Sequence, residues 1–148
     1  MKPPAPILVV DAAILIAAAY GRSHGAILEA QRYCVLITTD RVIEEARRRL
    51  ALSAGRPDLA EVVDRLAGKI TIASVESLAH LIEAGEQALR DAVASRNGST
   101  RDAHVLALAW SADADIWTTD RDFAGTGVAT WSTPNLMRGL ARIDEPSS

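Results

Sequence analysis

Near the start of the chain, Ile7-Leu8-Val9-Val10 is an unbroken apolar, largely β-branched run that ends at Asp11. A run without polar alternation suits a strand buried on both faces, the situation of a parallel sheet covered by helices. The pattern recurs. Strands are predicted at Cys34–Thr38, Lys69–Ala73, Asp115–Thr119 and Val128–Trp131. Between them lie helical stretches: Ala12–Tyr20 stopped by Gly21, Ser23–Arg32, and Asp40–Ser53 ending at Gly55-Arg56-Pro57. Asp58 is expected to cap a helix to Ala67, and Ser74 or Ser77 a long one to about Ser95 that contains Gly85. Asn97-Gly98-Ser99 breaks the chain before a helix over Arg101–Ala112 capped by Thr100. Gly125-Thr126-Gly127 reads as a turn, Pro134 as the opening of a terminal helical turn, and Asp144–Ser148 as a frayed tail. This alternation predicts an α/β fold, a three-layer α/β/α arrangement around a mostly parallel, about five-stranded sheet. At 148 residues, without repeat or linker, it predicts a single domain over 1–148.

Composition narrows the function classes. Hydrophobic residues make up 49% and charged residues 24%, ordinary globular values. The net charge of −3 argues against nucleic-acid binding by bulk positive charge. All but two of the 16 basic residues are arginine, the exceptions being Lys2 and Lys69. The single cysteine, Cys34, excludes an internal disulfide and a cysteine-based zinc site, and its apolar setting reads as a buried structural thiol. Pro3, Pro4, Pro6 and above all Asp11 speak against a signal peptide, and no stretch is apolar enough to span a bilayer. A cytoplasmic protein without membrane association is expected.

In such sheets ligands bind at the carboxyl ends of the strands, where strand order reverses. Asp11 directly follows the first strand and Asp120 the fourth, in Thr118-Thr119-Asp120-Arg121-Asp122-Phe123. Either residue alone reads as a cap of the next helix or turn; two at one sheet edge weaken that reading. Asp102 lies three, four and seven positions before Val105, Leu106 and Ala109, on the face those residues define, whereas His104 is predicted to point toward solvent. A core-facing carboxylate is costly unless paired or bound to a cation. Alternatively Asp102 bonds the free N–H groups of the first helical turn, and the residues alone leave both readings open. On the helix after the second strand, Val42, Ile43, Ala46 and Leu50 form the apolar stripe. Glu45 flanks it and can reach a cleft, while Glu44 is turned outward. Glu44–Arg48 and Glu45–Arg49 also have the spacing of exposed helix ion pairs, which accounts for Arg47-Arg48-Arg49 without any phosphate. Asp11, Glu45, Asp102 and Asp120 together could converge on one edge. Four packed carboxylates need cations to stay ionised, and an all-oxygen set suits Mg2+ or Mn2+ rather than zinc. Neither a Walker A motif nor G-x-G-x-x-G competes with this reading.

The ordered set Val9-Val10-Asp11 with Ile14-Leu15, Thr39-x-x-Val42-x-x-Glu45, Asp102 with Ala107-Leu108-Ala109, and Thr118-Thr119-Asp120-Arg121-Asp122-Phe123 resembles PIN-domain proteins over nearly the whole chain. In size and order it is similar to the toxin ribonucleases of bacterial toxin–antitoxin pairs. The resemblance implies a Mg2+- or Mn2+-dependent endoribonuclease with Asp11, Glu45, Asp102 and Asp120 as catalytic metal ligands. It makes Asp122 a secondary acidic position and Thr118 a supporting hydroxyl. Expected partners are an RNA substrate, a cognate antitoxin protein and a second copy of the chain in a homodimer. One departure is Ala13, where the family often carries Asn or Ser; a polar group that orients metal ligands is lost there. Ala13 is the positive support for the competing reading, a catalytically weak or inactive PIN-like module that binds RNA or protein. A receiver domain is excluded because no Lys follows the last strand, and a haloacid-dehalogenase-type phosphatase because Ala13 replaces its second Asp.

Overall fold

The computed structural model describes residues 2–91, 102–119, 123 and 125–143. The chain runs β1 (Ile7–Val10), α1 (Ala12–Ala19), α2 (His24–Gln31), β2 (Val35–Thr39) and α3 (Asp40–Arg48), which continues into a π-helical turn at Arg49–Ser53. Then come α4 (Pro57–Ala67), β3 (Thr71–Ala73), a 3-10 turn (Val75–Leu78), α5 (Ala79–Asp91), α6 (Ala103–Ala112), β4 (Asp115–Trp117), β5 (Thr130–Trp131) and α7 (Thr133–Ile143).

The five strands form one sheet in the order β3-β2-β1-β4-β5, and every neighbouring pair is parallel. Parallel neighbours require crossover connections, which helices supply between β1 and β2, between β2 and β3, and between β3 and β4. The resulting architecture is three-layered α/β/α. Central β1 is enclosed as its sequence requires, with Leu8, Val9 and Val10 at 0% exposure. Edge strand β3 is mostly exposed. Helices α1, α3 and α4 pack together, α5 packs on α6, and α6 lies directly against β1, β2 and β4. The first strand pairs onward in both directions, so strand order reverses between β1 and β4, and the carboxyl ends of these two strands flank the crevice where such sheets bind ligands.

Local chemistry sets most element ends. Asp11 and Thr39 cap α1 and α3 with their side chains, and Gly21, at φ +88°, ends the turn after α1. Three expectations need correction. Asp58 does not cap α4: Pro57 occupies the first helical position, Arg56 the cap position, and Asp58 sits inside the first turn, bound to Arg56 at 2.9 and 3.1 Å. Ser74 caps a 3-10 turn, accepting the Glu76 N–H, before α5 begins. The segment after Pro134 is a full helix, α7, anchored by buried Leu136 and Leu140. The Asn97-Gly98-Ser99 break, the Thr100 cap and the Asp144–Ser148 tail lie outside the described residues.

Cys34 precedes β2, is buried, and donates its S–H to the Ala5 carbonyl at 3.5 Å. Burial, and then the Asp115 carboxylate, push its thiol above the usual value, which marks an inert structural cysteine. No described helix is long and apolar enough to cross a membrane.

Candidate metal centre at the sheet edge

The parallel pairing of β1 with β4 places Val10 level with Trp117, so the residues that follow emerge side by side. Asp11 is one of them and is only 5% exposed. Its backbone N–H continues the ladder to the Trp117 carbonyl at 3.1 Å. Both of its carboxylate oxygens are engaged: Oδ1 accepts the Ala12 N–H at 2.8 Å, and Oδ2 accepts the Thr118 hydroxyl at 2.7 Å. Thr118 is itself 3% exposed at the end of β4. This bond spans the switch point. Capping of α1 does not exclude a site role for Asp11, because an ionised carboxylate has about four acceptor sites.

Glu45 lies on α3, half-buried beside the stripe of buried Val42, Ala46 and Leu50. Its neighbour is Arg49, at a loose 3.9 Å. Glu44 is turned outward, as its place on the helix predicts, and pairs with Arg48. Arg47 pairs with Asp64 at 2.8 Å, so each arginine of the run has a carboxylate partner. Glu44 also borders a groove of about 550 Å³ with Asp40, Arg41, Val75 and Glu76; none of the candidate ligands is among the described residues lining it.

Asp102 does not stand on the helical face assigned to it. Helix α6 starts at Ala103, and Asp102 occupies the cap position, half-buried, with its side chain making no capping bond. Its carbonyl accepts the N–H groups of Val105 at 3.0 Å and Leu106 at 3.3 Å. His104, predicted to face solvent, is 2% exposed. The reason is that α6 is buried all round, every residue from Ala103 to Ala109 being enclosed. Its Nδ1 lies 2.8 Å from the hydroxyl of Thr39, which is fully buried and also accepts the Val42 N–H. Desolvation, and then the nearby Arg41 guanidinium, push the imidazole down to about 4 against a weaker pull from Asp40. It is therefore neutral near pH 7. This Thr39–His104 pair escaped the sequence reading. Its signal was there: Ala103-His104-Val105-Leu106-Ala107-Leu108-Ala109 offers no polar face on which a histidine could reach water.

Asp120 and Asp122 lie outside the described residues. Among the described residues, no three His, Cys, Asp or Glu side chains group closely enough to hold a metal ion. Asp11, Glu45 and Asp102 are hard oxygen donors, and the His104 imidazole is tied to Thr39. That donor chemistry fits Mg2+ or Mn2+ and not zinc.

The PIN-domain family profile matches residues 9–141. The chain belongs to the PIN-domain family. No curated protein matches it significantly in sequence. Among solved structures, this PIN domain is similar to VapC20 of Mycobacterium tuberculosis, a sarcin-ricin loop cleaving toxin (TM-score 0.63, 21% identity, 82% of this chain and 96% of that one). It is also similar to VapBC2 of Rickettsia felis, bound to a DNA fragment from its promoter (TM-score 0.65, 10% identity, 85% and 98%). A third is a toxin–antitoxin complex from Klebsiella pneumoniae (TM-score 0.58, 19% identity, 85% and 97%). At these identities the likeness is one of fold.

Proposed function

We propose that this PIN domain, acting as one domain over the whole chain, is a Mg2+- or Mn2+-dependent endoribonuclease. We further assign it as the toxin of a toxin–antitoxin pair, a cytoplasmic homodimer neutralised by a cognate antitoxin protein. The observation that carries the reading is the buried Asp11 carboxylate, fixed by the Ala12 N–H and the Thr118 hydroxyl at the point where strand order reverses. Ligand-binding sheets of this class place their chemistry there. The likeness to toxins, including one that cleaves the sarcin-ricin loop, supports an RNA phosphodiester as the bond attacked.

Asp11, Glu45, Asp102 and Asp120 are the residues proposed to hold the cation, with Asp122 as an outer acidic position. When bound, a divalent cation supplies a Lewis acid for the phosphate and an acidified water. The protein's own work is positional. Thr118 keeps Asp11 oriented across the crevice, and the Ala12 N–H fixes its other oxygen. Without cations four carboxylates would repel an RNA phosphate, so cleavage requires their charge to be offset.

Purified protein is expected to cleave RNA with Mg2+ or Mn2+ and to lose all cleavage in excess chelator. Asp11→Asn should lower activity by more than the roughly 10–100-fold typical of residues that merely orient ligands. Asp120→Asn should do the same, and Asp122→Asn less. Cleavage that persists in chelator overturns the mechanism. One observation favours a second reading, a binding module: Ala13, half-buried on the first turn of α1 beside Asp11, presents no polar group. RNA binding without metal-dependent cleavage would establish that reading instead.

A further inference from the structure

The three described candidate ligands sit on different elements: Asp11 after β1, Glu45 on α3 and Asp102 before α6. One buried hydrogen bond ties the start of α3 to the first turn of α6. Thr39 ends β2, and its hydroxyl caps α3 by accepting the Val42 N–H at 3.0 Å. The same hydroxyl meets His104 Nδ1 at 2.8 Å in the first turn of α6. The β1–β2 register pairs Val9 with Ile37, and continuing it brings Thr39 level with Asp11. From another side, α5 closes on the same turn at Gly85, where an added Cβ would stand 3.0 Å from the Ala103 carbonyl oxygen. Asp102 belongs to this turn through its carbonyl, which bonds Val105 and Leu106.

Buried hydroxyl and imidazole groups are costly to leave unpaired, so this bond is kept wherever the core is intact. It therefore fixes where α3 begins relative to α6. Gly85 sets how closely α5 holds that turn. We infer that Thr39, His104 and Gly85 are positioning residues that lock Asp102 and the start of α3 against Asp11. This deepens the proposed metal-dependent activity and rests on it.

The test combines two measurements on the full chain. Amide hydrogen exchange at Val105 and Leu106 reads the first turn of α6 directly, without metal. Calorimetric titration with Mn2+ reads the site, with Asp11→Asn as its reference. Thr39→Val, His104→Leu and Gly85→Ala are each expected to speed exchange at these two amides and to weaken Mn2+ binding about 10–100-fold, the range for residues that orient ligands. Thr39→Ser keeps the hydroxyl and should restore both readouts. The double variant Thr39→Val/His104→Leu should be no worse than Thr39→Val alone, because that single change already removes the shared bond. Gly85→Ala guards against simple unfolding, since it raises helix propensity while crowding Ala103. Leu136→Val, in α7, lowers stability elsewhere and should leave Mn2+ binding unchanged. Faster exchange with wild-type Mn2+ affinity means a merely structural pair and overturns the inference, as do unchanged values of both. If the wild type binds Mn2+ no better than Asp11→Asn, the functional reading itself fails and the positioning role falls with it, whatever the exchange shows.

Discussion

Glu45 on α3 and Asp102 at the start of α6 are both candidate acids, yet the two helices are of opposite kinds. Helix α3 is amphipathic: Val42 and Ala46 are buried, while Asp40, Arg41, Glu44, Arg47 and Arg48 are exposed. Helix α6 has no outside over Ala103 through Ala109, enclosed between the sheet and α5, and meets water only in its last turn. Glu45 therefore sits on a solvated rim, its charge offset by Arg49 and by water. Asp102 sits at the mouth of a dry stretch of helix, whose first turn carries the Thr39–His104 bond. The rim and the mouth ask different things of a mutation.

The largest contrast should appear in core truncation. Leu106→Ala empties space around a side chain with 0% exposure in α6, a change that typically costs about 2–5 kcal/mol. Ile43→Ala removes a comparable side chain from α3, but one only partly buried, and should cost about 1–2 kcal/mol because less apolar area leaves water. Urea titration of the two variants measures both. Equal costs would mean that α6 relaxes as readily as an amphipathic surface helix, contrary to its enclosed packing.

The same contrast explains what the sequence made legible. Strand–helix alternation, the parallel sheet and the place of Asp11 follow from the apolar run Ile7–Val10 and the acid that ends it. The outward turn of Glu44 and its pair with Arg48 follow from helical period, which works on α3 because one face meets water. On α6 the same rule misassigns His104, because a period argument assumes a solvent face that Ala103–Ala109 lacks, and it does not reach Asp102, because the helix begins only at Ala103. Helix starts were misread where two signals compete, as at Pro57-Asp58, where proline at the first position outranks aspartate as the marker. The Thr118–Asp11 bond joins residues 107 positions apart, and only family resemblance pointed to that hydroxyl in advance.

Proton linkage gives the next effect. Burial holds His104 at about 4 against an ordinary 6.5, with Arg41 adding to the depression and Asp40 opposing it. Between those values the unfolded chain binds a proton that the folded protein refuses. Protonation therefore favours unfolding. The contribution of neutral His104 is complete above pH 6.5, is lost as pH falls toward 4, and levels off below it, amounting to about 3 kcal/mol at most. His104→Leu should flatten that part of the stability profile, measured by urea unfolding at pH 7, 6, 5 and 4. Parallel profiles for the two proteins would place the imidazole in contact with water and remove the dry character assigned to α6.

Glu45→Gln should move folding least. Glu45 is half-buried beside the α3 stripe, and its ion pair with Arg49, at 3.9 Å with both side chains well exposed to water, belongs to the class of helix pairs worth about 0.3–0.5 kcal/mol. The substitution keeps the shape of the side chain and removes only its charge, so stability should stay within about 0.5 kcal/mol of wild type. Its effect belongs to the site. If Glu45 holds the cation from the rim, Mn2+ affinity or RNA cleavage should fall by at least the 10–100-fold seen when orienting residues are lost. Thermal melts and Mn2+ titrations on the same preparation separate the two quantities. A folding loss above about 1 kcal/mol would show that α3 depends on this charge for structure. Unchanged Mn2+ affinity and cleavage would remove Glu45 from the centre and leave the site to the acids after β1, before α6 and after β4.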